Sequence, residues 1–553
     1  MTGRGLAILL LIVGAGASPL AAQGRDAGSS IVIVTGEQAT LPIPTLMEGS
    51  AASLANLEVA DHLFLRLANL GPEIITSGDH GFVPLLARGW TRRDSVTLAF
   101  DLDPRARWQD GAPVTARDVL FTFARARDPA IAPRLATLLR RIVSVSAESD
   151  HRVVFRFSEP YAEQLYDAVW HVAPLPAHLL EHIPAADLAT SPFVRKPVGN
   201  GPYRWVRSIP DQFIELAANE SFFLGRPGID RVIVRTATDP AARRNMVLSH
   251  EADAMDNILP PLDNLKQMSA NKDVRLIPVP SSTVGFMLFN ERDPADTSRP
   301  HPVLADRDVR RAIILSLDRE TLVRAVYGSY GEVPYGPTSP VLWIRHGTPK
   351  AAGPNRSRAR RLLASKGWTD SDGDGVLDRQ GAPLRLTLSY PGTSAVRKQI
   401  ALLAQQQLRQ NGIDVRLQQY EFPVYLERRY AGHFDIDFSA TVQDPSPSGL
   451  SQGWSCDGGT NVAHYCDPRV DSLIERATAS SEDSREAWHA ALRQIEDDAP
   501  AAFMYAPSYV FAVNRRIGNV TIRPESSWMG LWKWTAGSRA GSEAAATRTN
   551  AGH

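Results

Sequence analysis

The sequence predicts an α/β protein of more than one lobe, each built on a mixed sheet, and three observations carry that prediction. Strand-type and helix-type segments alternate along nearly the whole chain, which separates it from a helical bundle or an all-β sandwich. The chain has 553 residues, more than one core ordinarily organises at about 150 residues per domain. Its 43% apolar and 22% charged residues are those of a chain that folds and not of a disordered one.

Taken in order, the first segment precedes the fold. Arg4, the apolar run Leu6 to Ala17, and the small residues Ala21 and Ala22 read as a secretory signal peptide over residues 1–22. The run is too short for a spanning helix, which needs about 20 apolar residues. No cysteine lies near the cleavage region to carry a lipid, so the expected product is periplasmic and not lipid-anchored. Ser30 to Thr35 is a β-branched strand, and Ala52 to Leu67 has helical spacing ending at Gly71-Pro72. Ser95 to Leu102 alternates as a strand, Gln109-Asp110-Gly111 makes a turn, and Thr115 with Asp118 opens a helix to Arg127. Further strands are expected at Arg152 to Phe157, Ile214 to Leu216, Arg231 to Arg235, Arg275 to Pro278, Leu384 to Tyr390 and Asp414 to Tyr420. Helices are expected at Asp308 to Tyr327, Ser357 to Lys366, Val396 to Asn411, Val470 to Ala479 and Ser484 to Asp497. The tail from Ala536 is small and polar, with the composition of a disordered segment.

Charge and chemistry exclude several classes. Lys plus Arg and Asp plus Glu both number 60, so no net field draws the protein to nucleic acid or an anionic membrane. HExxH and the P-loop sequence are absent. Cys456 and Cys466 are the only cysteines, and in an oxidising compartment two so close together suit a disulfide; two alone make no zinc site. Asp370 to Asp378 places acids at the first, third and fifth positions of a calcium-type loop with Gly sixth, but Gly381 stands at the twelfth, where a bidentate Glu is needed. Gly449-Leu450-Ser451-Gln452-Gly453 matches the G-x-S-x-G pattern of hydrolases, with Asp471 and His489 following in hydrolase order. That pattern requires a strand before the Ser, and Pro445 and Pro447 stand there instead, so a secreted serine hydrolase using Ser451 is the alternative reading.

Five segments in collinear order resemble the extracellular solute-binding protein family 5, the peptide- and nickel-type receptors of ABC importers. They are Leu85 to Phe123, with its Trp-x-Asp-Gly turn and Val-Thr-Ala-x-Asp-Val helix start; Gly199 to Arg204, where Asn200 replaces the usual Thr; Val303 to Tyr327; Arg358 to Gly381; and Asn461 to Ala477. The resemblance implies a two-lobe periplasmic-binding-protein-like fold of type II, with an extra subdomain in the first lobe. It places lobe I at 23–58, 195–286 and 505–535, the extra subdomain at 59–194, lobe II at 287–504 and a disordered tail at 536–553. It implies no enzyme activity and no cofactor, a monomer that captures a small solute by hinge closure, and a partner permease at the inner membrane.

The resemblance also points to ligand-binding residues. Glu48, Gly49 and Ser50 stand where such receptors run backbone along the ligand, and Gly49 permits close approach. Arg134 and Trp454 are further cleft candidates, the Trp for stacking. In the dipeptide and oligopeptide receptors, an Asp three residues before an acidic-Pro pair meets the peptide α-ammonium. Here that position, counted back from Asp444-Pro445, is Thr441. A Thr hydroxyl supplies no charge, so either the ligand lacks an ammonium or Asp444 or another acid provides the charge.

Overall fold

The computed structural model describes residues 29–47, 53–480 and 484–537. The expected signal peptide and Glu48, Gly49 and Ser50 lie outside them, as does the tail beyond Gly537. Ala536 itself pairs with Ile517, so the ordered chain runs past the expected start of the tail.

A twelve-stranded mixed sheet runs through both lobes. On one side, Ser30–Thr35 lies parallel to Arg231–Thr236 and Ala254–Met255, and the hairpin of Tyr203–Ile209 with Phe213–Ala218 extends the edge. On the other, Arg385–Pro391 lies parallel to both Asp414–Tyr420 and Ile436–Val442, and Thr283–Phe289 pairs antiparallel with the latter. The strand Ala501–Asn514 belongs to both halves: its first part pairs with Thr283–Phe289, its second with Val274–Pro280 and Ala254–Met255. The chain therefore passes between the lobes twice, at 280–283 and again inside this long strand. The buried cores divide in the same way. One set draws on Ile31, Val59, Trp205, Val232, Val513 and Trp534, the other on Met287, Leu388, Phe438, Trp488 and Phe503.

A separate antiparallel sheet, in the order Ala87–Asp94, Thr97–Leu102, Arg152–Phe157, Ile142–Ser149, packs beside the first half, covered by the helix Ala116–Ala126. That helix has the expected capping box. Thr115 N donates to the Asp118 carboxylate at 2.8 Å, and the same carboxylate accepts from Ala177 N and Trp108 Nε1. Gly111 takes a φ of +94° in the preceding turn. Gln109 beside it bonds Tyr203 O and Gly199 N, locking this turn to the Gly199 to Arg204 segment. There the glycines are steric necessities, because a Cβ on Gly199 would lie 2.0 Å from Leu63 O and one on Gly201 2.4 Å from His62 O.

The expected helix Asp308 to Tyr327 is two, Arg307–Ser316 and Arg319–Tyr327, because Asp318 caps the second through Thr321 N. Each carries a buried arginine that ties down the long strand. Arg310 bonds Ala499 O and Asp498 O, and Arg319 bonds Phe503 O at 2.9 Å.

Candidate functional site

The parallel strands Arg385–Pro391, Asp414–Tyr420 and Ile436–Val442 end on one side of the sheet, and the helices Ala395–Arg409 and Phe422–Tyr430 start there. In open α/β sheets the crevice beyond such strand ends is where ligands bind. Here a crevice of about 550 Å³ occupies that place, within the size range of small-molecule sites. Apolar side chains form part of its walls, with Phe286, Leu342, Phe422 and Val442 among them, and Val442 is 70% exposed. Polar side chains share the lining, among them Ser439, Thr441, Gln443, Asp444, Arg397 and Arg429.

These groups are fixed from behind. Arg429 Nε donates to the buried Asp437 at 2.9 Å, and Tyr425 Oη donates to the same carboxylate at 2.7 Å. Gln443 Oε1 accepts from Ser339 N, which holds the strand end against the loop before Val341. Tyr505 packs where Gly285 leaves room for its ring; a Cβ there would sit 2.2 Å from it.

At one end the crevice meets the other lobe. The Tyr166 hydroxyl donates to Asp444, and Ser446 N donates to the same oxygen. Beside them Glu163 is fully enclosed and accepts from Ser446 Oγ and Ser448 Oγ at 2.6 Å each and from Thr76 Oγ1 at 2.5 Å. Trp343 Nε1 reaches Thr76 in turn, at 3.0 Å. Burial pushes the Glu163 carboxyl up to about 7, outweighing the three hydroxyl donors that favour its charged form.

Of the sequence candidates among the described residues, Thr441, Asp444 and Trp454 come together at the crevice. Thr441 is exposed at the strand end. Trp454 lines the crevice by an edge only: it is 6% exposed and packs edge-on against Phe286 and Phe503, which makes it a core residue first. Arg134 is not brought to the crevice. It is exposed on the short helix Pro133–Leu138, at the rim of the separate sheet. Cys456 and Cys466 are disulfide-bonded and close the loop that follows Trp454. Tyr166, Glu163 and Arg397 were not singled out by the sequence, since nothing local to them separates a functional side chain from a structural one.

The hydrolase arrangement is not assembled. Ser451 follows a 3-10 turn, Pro447–Leu450, and not a strand, and its Oγ donates to Ser448 O at 2.8 Å. Asp471 accepts from Cys456 N, and the His489 ring bonds Ile344 O, so none of the three side chains reaches another. Asp370, Asp372 and Asp374 cluster on the surface, but their carboxylates accept from the loop's own amides at Gly373, Asp374, Gly375 and Val376. Among the described residues, no helix is long and apolar enough to cross a membrane.

Comparison with known proteins agrees with this architecture. The oligopeptide-binding protein AppA of Bacillus subtilis is 27% identical over 449 residues, covering 79% of this chain and 80% of that protein. The probable D,D-dipeptide-binding periplasmic protein DdpA of Escherichia coli is 26% identical over 462 residues, 81% of this chain and 84% of its own. Among solved structures, CtaP of Listeria monocytogenes, an ABC transporter substrate-binding protein, superposes with a TM-score of 0.77 at 22% identity, covering 92% of this chain and 99% of that one. NikZ of Campylobacter jejuni, solved with Ni(L-His), gives 0.73 at 19%, with the same coverage, and shares the fold. Residues 81–461 match the family of bacterial extracellular solute-binding proteins, family 5. With that match spanning most of its length, and with the two-lobe mixed-sheet fold in place, the chain belongs to the family 5 solute-binding proteins.

Proposed function

We propose that this protein is the receptor of an ABC importer, capturing a short peptide-like or other small solute between its lobes in the periplasm and handing it unchanged to a permease. The observation that carries the reading is the crevice itself. It lies at the carboxyl ends of parallel strands, is walled by apolar and polar side chains together, and faces the lobe junction. Two chain crossings, at 280–283 and within Ala501–Asn514, are the natural hinge. Ligand contacts to both lobes would favour the closed form by the difference in affinity between the two states. Thr441, Asp444 and the edge of Trp454 are the proposed contacts, with Glu48, Gly49 and Ser50 supplying backbone from the first lobe. A peptide-like solute is preferred because AppA and DdpA, two relatives matched over 79% and 81% of this chain, carry peptide-binding names. Thr441 is neutral, so a free ammonium at this end would be met by Asp444, whose carboxylate keeps its charge while accepting from the neutral Tyr166 hydroxyl.

A thermal-shift screen of the purified protein tests this, with capped and free peptides, opines, sugars and nickel–histidine complexes. A ligand at a hundred times its Kd stabilises by about 2.7 kcal/mol, a shift of several degrees, and should be recovered intact by mass spectrometry. No shift with any class, or chemical turnover of a bound compound, would overturn the reading.

A further inference from the structure

We infer that the helix Arg356–Ser365 is a cationic docking face for the anionic headgroups of a phospholipid bilayer. The inference goes beyond the receptor reading and does not depend on which solute the crevice takes. Basic and acidic residues balance over the whole chain, but not locally: between Glu332 and Asp370 there are seven Lys and Arg and not one Asp or Glu. Three of the seven are neutralised from elsewhere. Arg345 meets Glu332 and Lys350 meets Glu320, each at 2.7 Å, and Lys366 meets Asp306 and Asp308. The other four, Arg356, Arg358, Arg360 and Arg361, are exposed on this one helix, and among the described residues no carboxylate lies within 4.0 Å of them. Arg360 donates to the neutral carbonyl of Gln410 at 3.0 Å. Arg324 extends the basic area: it is exposed, has no acid within the same distance, and lines a hollow of about 490 Å³ together with the segment Thr348 to Pro354 that leads into the helix.

The rest of the helix decides what such a face can meet. Ala359 and Leu363 turn inward against Val309 and Ala312, so the outer side is left to the arginines with Ser357, Ala364 and Ser365. Among the described residues, no large apolar or aromatic side chain is exposed anywhere from 333 to 369. The centre of a protein interface calls for buried aromatic or aliphatic anchors, and a helix that inserts into lipid needs Trp, Phe or Leu on one face. This helix has neither, only small side chains and guanidinium groups, each able to grip a phosphate through paired hydrogen bonds. That chemistry fits a broad anionic surface touched without insertion. A member of an extracellular family meets such a surface in a bilayer and not in nucleic acid.

The test is co-sedimentation of the untagged mature chain with vesicles of phosphatidylcholine alone or of phosphatidylcholine with about a third phosphatidylglycerol, at about 20 mM and about 300 mM NaCl. The protein should partition to the anionic vesicles only, and high salt should release it. One basic side chain at an anionic surface is worth about fivefold, so the triple variant Arg356→Gln, Arg358→Gln, Arg361→Gln, which spares the bonded Arg360, should lose about a hundredfold. The matching Lys triple should stay within a fewfold of the parent. So should Arg117→Gln, Arg207→Gln, Arg226→Gln, which removes the same charge where Glu181, Glu215 and Glu220 already pair with it. If the first triple does not fold, Arg358→Gln and Arg361→Gln singly, each expected to lose about fivefold, replace it. Equal binding to both vesicle types overturns the inference, as does anionic binding that survives loss of the helix arginines or falls as far with the remote triple. Failure to bind either vesicle overturns it too, and leaves an acidic protein surface as the partner of these arginines.

Discussion

Placing Asp at position 441 would restore the acid that the peptide receptors of this family hold there, on a strand end that is already exposed to the crevice. Thr441→Asp is predicted to strengthen binding of a free-amine tetrapeptide by about tenfold to a hundredfold, the worth of one charge-assisted contact, with no gain for its acetylated twin. Calorimetry on both peptides checks it. Gly285 pairs with Ala440 on the adjacent strand, and Gly285→Ala would drive a methyl into the Tyr505 ring. The predicted cost is about 1–3 kcal/mol of stability, read from the urea midpoint. Residue-scale chemistry was only half legible in the sequence. Thr441 was found by counting from Asp444-Pro445, which needs no fold. The Tyr166 contact to Asp444 joins residues 278 apart in the chain and has no local signature.

Elements were legible wherever a local signal terminates or tilts them. The Thr115 and Asp118 pair announced a capped helix, found over Ala116–Ala126, and the strand Asp414–Tyr420 was expected and found with the same bounds. Asp118 does more than cap, since its carboxylate also satisfies Ala177 N and Trp108 Nε1 inside the subdomain. Asp118→Ala should therefore cost about 2–3 kcal/mol through donors left unpaired, seen as a lower urea midpoint with an unchanged slope. The long strand Ala501–Asn514 was not expected. Its burial is nearly continuous, so it lacks the inside-outside alternation that marks a half-exposed strand. The same holds for Thr283–Phe289, where all but the first residue are buried. The two elements that join the lobes were thus the least visible ones, because a strand covered on both faces reads only as an apolar run. Asp318 was visible but misread: an acid inside a helical pattern gave no sign that it would start a new helix.

At the scale of the whole molecule, the contact between lobes turns on a carboxyl with no water around it. Glu163, from the first lobe, meets Ser446 and Ser448 of the second, with Thr76 and Trp343 completing the junction. Its neighbours Asp167, Tyr166 and Asp444 offer no positive charge to offset ionisation. Because the folded protein raises this carboxyl from an ordinary 4.5 to about 7, it holds its proton more tightly than the unfolded chain does. Its contribution is therefore fully present below about pH 4.5 and is lost as the pH climbs to about 7. Burial also raises Glu58 and Glu291 to about 7, so the parent protein's pH profile is a sum, and only a difference isolates the junction. Glu163→Gln, which keeps a carbonyl acceptor and cannot ionise, should flatten the fall in melting temperature across that window relative to the parent. Glu163→Ala should leave three hydroxyls without their acceptor and loosen the lobes at every pH, which small-angle scattering would register as a larger radius of gyration in the ligand-free protein. If instead the Gln variant follows the parent profile point for point, the carboxyl does not govern the junction, and the lobes are held by the Tyr166–Asp444 and Trp343–Thr76 hydrogen bonds with the apolar contacts of Tyr166, Ile74 and Val341.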